Sequence, residues 1–325
     1  MARDALPAGC GRKVRAIYRT PPAGGRPSKS PLPSLVEVTI KFVAEGLKQA
    51  RYITNERVET AIFLALALEK PLLIEGPAGA GKTEVAKVLS EMLETSLVRL
   101  QCYEGLDEAR ALYEWNYQKQ LLRMQADEAQ GLRWEEVSEH IFSADYLLER
   151  PLLKAITASR RVVLLIDEID KADEEFEAFL LELLSDFQVS VPELGTVRAL
   201  ERPIVVLTSN RARDLSEALR RRCLHLFIDF PGVEQERRII ELKVPNLDAR
   251  LAAEAARFVA SVRKLGLRKP PSIAETLDWT RALLHLGVKE LDSDAIRAAL
   301  GVLLKHEDDR AKVETRASSL ATRPR

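Results

Sequence analysis

At 325 residues with 46% hydrophobic content, the chain is long enough to build one large domain and a smaller one, each around its own core. The 49 basic and 49 acidic residues cancel, so the overall charge gives no reason to expect a nucleic acid or an anionic membrane as the main partner. Three cysteines without a C-x-x-C spacing exclude a disulfide framework, and no apolar run reaches the roughly 18 residues of a membrane helix.

The N-terminal segment, residues 1–34, is rich in Pro, Gly, Ser and Arg and has no hydrophobic period, which predicts a disordered basic extension. It lacks the apolar stretch of a signal peptide, so we expect a cytoplasmic protein. A transit peptide is the alternative, because such peptides are also rich in arginine. Helical periodicity follows from about Glu37 to Tyr52 and resumes after Asn55, a residue type that favours the N-cap position.

A phosphate-binding loop is predicted where the apolar run 72–74 enters a glycine-rich turn. The turn fits the G-x-x-x-x-G-K-[ST] pattern with Gly76, Pro77, Ala78, Gly79, Ala80, Gly81, Lys82 and Thr83. Glycines let backbone N–H groups point inward at the start of a helix, where a polyphosphate finds donors and a favourable field. Lys82 is expected to reach the β- and γ-phosphates of ATP, and the Thr83 hydroxyl to ligate Mg²⁺. The alternative is a strand-to-helix turn with a surface lysine.

Four further apolar runs, at 97–100, 162–166, 204–207 and 224–228, predict strands, and each lies between helical patterns. With 72–74 they predict an α/β fold, a five-stranded parallel sheet covered by helices on both faces, as in the three-layer αβα domain of P-loop NTPases.

Two segments are longer than a connection between neighbouring parallel strands requires. Residues 105–159 form a long, mostly helical stretch, and an alternating segment at 187–198 predicts a hairpin. After Pro231-Gly232 the patterns are helical only, which predicts a small all-α lid. The expected domains are therefore an ATPase domain at 35–232, a lid at 233–305 and a flexible tail at 306–325.

Two carboxylates follow the predicted strand at 162–166. Asp167 is expected to hold Mg²⁺, directly or through water, and Glu168 to polarise the attacking water as general base. The next strand ends at Asn210, whose amide is placed to orient the same water or to bond the γ-phosphate. The alternatives are a solvated acidic turn and, for Asn210, a helix N-cap.

Three consecutive arginines, Arg220, Arg221 and Arg222, precede the last predicted strand. A guanidinium supplied from a neighbouring subunit would stabilise charge that develops on the γ-phosphoryl group. Three adjacent side chains cannot all do so, and we choose Arg222. The other two are then surface or interface charges.

With these motifs the chain resembles the AAA+ ATPases and, more narrowly, the MoxR family. The runs 73–79, 100–108, 113–117 and 274–279 are similar to its CoxD-like branch, which is associated with carbon monoxide dehydrogenase maturation. The resemblance covers about residues 45–305. Many relatives have a lid arginine in a Pro-Arg-Ala context as a second sensor, whereas this chain reads Lys-Pro-Pro-Ser-Ile-Ala at 269–274. Arg268 and Lys269 are candidates, and we assign neither.

The resemblance implies a ring, commonly a hexamer, with ATP at subunit interfaces and with 105–159 and 187–198 touching a protein client. Family members usually work with a von Willebrand factor A domain protein to activate metalloenzymes, which indicates a client such as a molybdenum-hydroxylase-type enzyme. We therefore predict an ATP-hydrolysing, chaperone-like remodeller. The alternatives are a nucleic-acid motor or loader, which the neutral charge disfavours, a small-molecule kinase, and a nucleotide-gated interaction protein with little turnover.

Overall fold

A five-stranded parallel sheet forms the centre of the larger domain in the computed structural model, which describes residues 38–129, 141–191 and 195–317. The strands of this part of the chain are β1 (Leu72–Glu75), β2 (Leu97–Gln101), β3 (Tyr113–Trp115), β4 (Leu147–Glu149), β5 (Val163–Asp167), β6 (Gln188–Val191), β7 (Gly195–Arg198), β8 (Ile204–Ser209) and β9 (Leu224–Phe227). The sheet order is β2-β5-β8-β1-β9. All four neighbouring pairs are parallel, so the carboxyl ends of these strands share one edge.

Helices cover both faces of the sheet. Those of the larger domain are α1 (Ile40–Gln49), α2 (Glu56–Ala67), α3 (Lys82–Met92), α4 (Glu108–Leu112), α5 (Tyr117–Ala129), α6 (Pro151–Ile156), α7 (Glu174–Asp186) and α8 (Glu217–Arg222). Successive residues of a strand point to opposite faces of the sheet. In β1, Leu73 packs in the hydrophobic core on one face, while Leu72 and Ile74 pack in the core on the other face. The inner strands β1, β5 and β8 are buried on both faces and have continuous apolar runs, whereas the edge strands β2 and β9 are only partly buried. This is the αβα fold of P-loop NTPases.

The smaller domain consists of helices only. They are α9 (Val233–Lys243), α10 (Ala249–Arg263), α11 (Ile273–His285), α12 (Ser293–Leu303) and α13 (Glu307–Glu314). Phe258 and Trp279 stack in its core with ring centroids 5.1 Å apart. A buried ion pair between Arg263 and Glu236 joins α10 to α9, with the shorter contact at 2.5 Å. Burial raises the pKa of Glu236, and the Arg263 guanidinium opposes that rise.

The chain after His306 differs from the flexible tail expected there. Helix α13 packs on the lid core through Val313, and Ala317 is also fully buried. The buried Asp309 carboxylate accepts hydrogen bonds from the backbone N–H groups of Arg268 and Lys269 at 2.9 and 3.0 Å. The segment looked like a tail because charged residues dominate it, and the burial of Val313 and Ala317 depends on contacts with the lid.

The stretch at 105–159 also differs from the mostly helical expectation. Besides α4, α5 and α6 it contains an antiparallel strand pair, in which Tyr113 lies opposite Glu149 and Trp115 opposite Leu147. Strands of three residues are too short to show a period, so no pattern in the sequence predicts them. Strands β6 and β7 pair antiparallel at the position of the expected hairpin.

Several expectations lie outside the described residues: the disordered segment 1–34, the middle of the 105–159 stretch with Trp134, and the turn of the hairpin. Within the part of the chain that the structure describes, no helix combines the length and the apolar character needed to cross a bilayer.

Candidate functional site

The glycine-rich loop lies between the end of β1 and the start of α3 at the carboxyl edge of the sheet. Gly76 has φ +153°, and a Cβ there would lie 1.8 Å from the carbonyl oxygen of Ile228, next to the neighbouring strand β9. No other residue fits this position, because the clash is with backbone that cannot turn away. The loop thus passes close to the sheet and delivers Lys82 and Thr83 to the first turn of α3.

Lys82 is almost fully buried inside this loop. Its ammonium group donates to the carbonyl oxygens of Gly76 and Pro77 at 2.8 and 2.7 Å and to Oδ1 of Asn210 at 2.8 Å. Burial lowers the pKa of Lys82, and the charges of Asp170, Asp167 and Glu168 act in the opposite direction. The lysine is therefore a cation with a fixed position at the mouth of the loop.

Asp167 ends β5 and is only 3% exposed. Its Oδ1 accepts hydrogen bonds from the hydroxyls of Thr83 and Thr208 at 3.0 and 2.5 Å, and its Oδ2 contacts two nitrogens of Arg99. Within the described residues, no cluster of three or more His, Cys, Asp or Glu side chains could hold a metal by itself. A Mg²⁺ ion in a phosphate site needs only one or two carboxylates, with waters and phosphates as further ligands. The adjacent oxygens of Thr83 and Asp167 fit that requirement.

Glu168 follows with φ +57°, a left-handed conformation that is uncommon for a residue with a side chain. Its backbone N–H donates to Thr208 Oγ1 at 2.9 Å. Its carboxylate accepts from Asn210 Nδ2 at 3.2 Å, from Gln101 Nε2 at 2.9 Å and from Lys171 Nζ at 2.5 Å. The hydrogen bond to Glu168 raises the pKa of Lys171. The carboxylate is thus held by three side chains, and Glu168 lines the same cavity as residues 78–83.

Asn210 stands just beyond β8, between Lys82 and Glu168. Its amide accepts from the lysine and donates to the glutamate, so the orientation of the amide group is fixed from both sides. Asp170 positions the backbone here, because its two oxygens accept from the N–H groups of Asn210 and Ala212 at 3.1 and 2.9 Å. Asn210 is not the N-cap of the following helix, because α8 begins at Glu217 and Ser216 is its N-cap.

The three consecutive arginines have different surroundings. Arg220 makes a two-point contact with the buried Glu75, and the shorter distance is 2.8 Å. Arg221 pairs with the exposed Glu217 on its own helix. Arg222 donates to Ser185 Oγ at 3.0 Å on an exposed face, and it is not among the residues that line the cavity of its own chain.

A cavity of about 770 Å³ opens between the larger domain and the lid. Residues 78–83, Asp167, Glu168 and Asn210 are among its lining residues. The lining also includes the apolar and aromatic side chains of Tyr52, Ile53, Ile228, Phe230, Ile273 and Leu277. Burial, and next the charge of Glu84, raises the pKa of Tyr52 to about 12. The cavity therefore offers both charged groups, fit for phosphates, and apolar side chains, fit for a flat ring.

The lid contacts the phosphate loop directly. The N–H of Ile273, the first residue of α11, donates to the carbonyl oxygen of Gly79 at 3.1 Å. Of the two residues considered as second sensors, Lys269 pairs with Glu275 at 3.2 Å, and neither it nor Arg268 lines the cavity. The lid meets the loop through backbone and apolar groups at this point.

Five polar residues of this site were not predicted: Arg99, Gln101, Asp170, Lys171 and Thr208. Arg99 and Gln101 could be expected to share a face of the sheet, because residues two apart on a strand point to the same side. Their strand, 97–101, pairs in parallel with 163–167. Their proximity to Asp167 depended on strand order, which the sequence did not give.

The comparisons with known proteins bear on the larger domain. Residues 71–223 match the family model described as AAA domain (dynein-related subfamily). The denitrification regulatory protein NirQ of Stutzerimonas stutzeri is 24% identical over 228 residues, which cover 67% of this chain and 73% of that protein. An uncharacterized protein of Staphylococcus aureus (strain bovine RF122 / ET3-1) is 26% identical over 226 residues, 67% of this chain and 77% of the relative.

Among solved structures, the RuvB Holliday junction branch migration motor of Thermotoga maritima covers 81% of this chain and 67% of its own, with 17% identity and a TM-score of 0.43. The matched AAA domain extends from the residue before β1 through α8. It therefore contains the phosphate loop, the two carboxylates, Asn210 and the three arginines.

Proposed function

We propose that this AAA-domain chain binds ATP with Mg²⁺ between its larger domain and its lid and hydrolyses the ATP to ADP and phosphate. The observation that supports this most is the chain of contacts from Lys82 through Asn210 to Glu168. These residues come from three separate parts of the sequence, and 128 positions separate the first two. A network of ion pairs that served only to stabilise the fold would not need to bring a cation, an amide and a carboxylate together at one cavity.

Binding would rest on the loop and its lysine. The backbone N–H groups of residues 78–83 and the positive end of α3 favour a polyphosphate, and Lys82 would exchange its carbonyl partners for phosphate oxygens. Thr83 and Asp167 would hold Mg²⁺, which neutralises charge that develops on the phosphates. The apolar side chains of the cavity, with Tyr52 and Ile53 among them, would take the base.

Hydrolysis would rest on Glu168. As general base it would accept a proton from the attacking water, and Asn210 would hold that water or the γ-phosphate in line. The carboxylate accepts three hydrogen bonds, two at Oε2 and one at Oε1, so Oε1 has a lone pair left for a water. These donors hold the carboxylate beside Asn210.

Arg222 would complete the site of a neighbouring copy in a ring, commonly a hexamer. It is exposed and lies outside the cavity of its own chain, as a residue that acts on another subunit has to be. Its charge would stabilise the γ-phosphoryl group in the transition state. AAA proteins typically form such rings, and ATP would sit between subunits.

For the biological role we propose a MoxR-type, CoxD-like remodeller that assists the maturation of a metalloenzyme, possible clients being molybdenum-hydroxylase-type enzymes, together with a von Willebrand factor A domain protein. One relative is named a denitrification regulatory protein, which fits action on another enzyme system. Exposed apolar side chains on α5, namely Tyr117, Leu121 and Leu122, fit a surface that contacts protein.

The decisive experiment measures ATP binding and phosphate release by the purified chain. Lys82→Ala should abolish binding of a fluorescent ATP analogue, because the buried cation is lost. Glu168→Gln should bind normally and lose turnover by about 100-fold or more, since a positioned general base contributes that much. Lys87→Ala is the matched control, because this lysine of the same helix is exposed and pairs only with Glu84.

Two outcomes contradict the proposal. If the Glu168→Gln protein hydrolyses ATP at the parental rate, Glu168 is not the general base. A phosphorylated small molecule in place of free phosphate would identify a kinase.

A further inference from the structure

We propose that Arg99 competes with the metal ion for Asp167 and so raises the Mg²⁺ concentration that nucleotide binding requires. This inference rests on the proposed function, because it concerns the same site. Arg99 and Gln101 lie on the edge strand β2, two residues apart, beside the end of β5. Both side chains therefore face the two carboxylates.

The contacts of Asp167 show which partner has to move. Its Oδ1 is bonded by two hydroxyls, and that of Thr83 is itself a metal ligand in the proposed site. Its Oδ2 is bonded by Nε of Arg99 at 3.1 Å and by a terminal nitrogen at 2.5 Å. A guanidinium at this distance uses the lone pairs that a metal or a metal-bound water needs, and its charge repels a cation. Arg99 is the contact that opposes metal binding.

Arg99 is able to leave. Its side chain is 51% exposed, while Asp167 is only 4% exposed, so the arginine can turn into solvent without burying its charge. A half-exposed pair of this kind contributes modestly to stability. A bound metal ion can therefore replace the Arg99 contact at small cost in free energy. The Asp167 carboxylate then has the metal ion as its cationic partner in place of the guanidinium.

Arg99 also determines where Gln101 points. The same terminal nitrogen donates to Gln101 Oε1 at 2.5 Å, which leaves the amide nitrogen of Gln101 to donate to Glu168 at 2.9 Å. When Arg99 turns away, Gln101 loses the contact that fixes its amide. Metal binding at Asp167 would therefore also change the surroundings of Glu168.

The test is a Mg²⁺ titration of the intact protein with a fluorescent, non-hydrolysable ATP analogue, in the parental chain and in Arg99→Gln and Arg99→Met. Both neutral variants should reach half-maximal binding at about two- to fivefold lower Mg²⁺ than the parent, the range expected for loss of one partly exposed competing charge. Arg99→Lys keeps the charge and should stay close to the parental requirement. Arg202→Gln is the matched control, since Arg202 is similarly exposed and its ion pair is with Glu69.

An unchanged or higher Mg²⁺ requirement in the neutral variants overturns the inference while leaving the proposed function standing. If one neutral variant fails to fold, the other supplies the measurement. A parental protein that binds no nucleotide at any Mg²⁺ concentration overturns the proposed function, and this inference with it. A Lys variant that shifts as far as the neutral ones also contradicts it, because charge would then not be the cause.

Discussion

Glu75 is buried at the end of β1, yet its carboxylate faces two basic side chains. Arg220 contacts both of its oxygens, and Nε2 of His225 lies 2.7 Å from one of them. A buried charge is tolerated only where partners replace the lost water. This cluster fixes the position at which β1 enters the phosphate loop, and it commits Arg220 to a role within its own chain.

Arg220→Ala should therefore destabilise the protein by about 2 to 4 kcal/mol, because the buried Glu75 then keeps only the imidazole of His225 beside it among the described contacts. Arg221→Ala and Arg222→Ala should change stability by less than about 0.5 kcal/mol, since both side chains are exposed. Chemical denaturation of the three variants under identical conditions measures the difference.

Equal effects of all three substitutions would contradict this division of roles. They would mean that Glu75 finds another partner, or that Arg222 supports the fold through Ser185. The comparison needs no assay of activity, so it separates a structural arginine from one that acts on a neighbour.

At the scale of elements, the contact between α11 and the phosphate loop connects the two domains. Helix α11 begins with a capping box in which Ser272 and Glu275 bond each other's backbone N–H groups. This cap places Ser272 against Gly79: a Cβ on that glycine would lie 2.1 Å from Cβ of Ser272. Because the loop has no side chain there, the lid can dock on it.

Gly79→Ala should push the lid away and weaken nucleotide binding. Its matched control is Gly105→Ala, because Gly105 has the same φ of +78° but no atom within 4 Å of the added Cβ. Both variants have the left-handed backbone cost of about 1 kcal/mol, and only Gly79→Ala adds an overpacking cost of about 1 to 3 kcal/mol. Thermal unfolding and binding of a fluorescent ATP analogue measure the two effects.

If Gly79→Ala and Gly105→Ala prove equally stable and bind nucleotide equally well, the lid contact has no energetic importance. The lid would then be coupled to the site only through the apolar side chains of the cavity.

At the scale of the whole molecule, the proposed site is divided between copies. One copy would provide the loop, the two carboxylates and Asn210, while Arg222 would come from the next. Arg222 points away from its own cavity, so a single chain brings together all predicted site residues except that one.

Mixing two inactive variants tests this division. Glu168→Gln and Arg222→Ala proteins, each inactive alone, should regain about a quarter of the parental ATPase rate in an equal mixture, because in a randomly mixed ring that fraction of interfaces joins an intact Glu168 to an intact Arg222. Phosphate release measured before and after mixing gives the result. A mixture that stays inactive, or an Arg222→Ala protein that is fully active alone, would contradict the shared site.

The sequence alone determined the five strands and the lid helices, because strands buried on both faces have continuous apolar runs and amphipathic helices have a clear period. It also singled out the loop 76–83 and the pair Asp167 and Glu168, since each motif is contiguous in the chain. The resemblance to the AAA+ ATPases rested on the same motifs, and residues 71–223 match the model described as AAA domain (dynein-related subfamily).

Only the tertiary structure decided what lies next to those motifs. Strand order put β2 beside β5, so that Arg99 and Gln101 reach Asp167 and Glu168. Packing turned the charged segment after His306 into a lid helix and assigned Arg220 to Glu75. These contacts join residues tens of positions apart, and local propensity and spacing contain no information about which distant side chains meet.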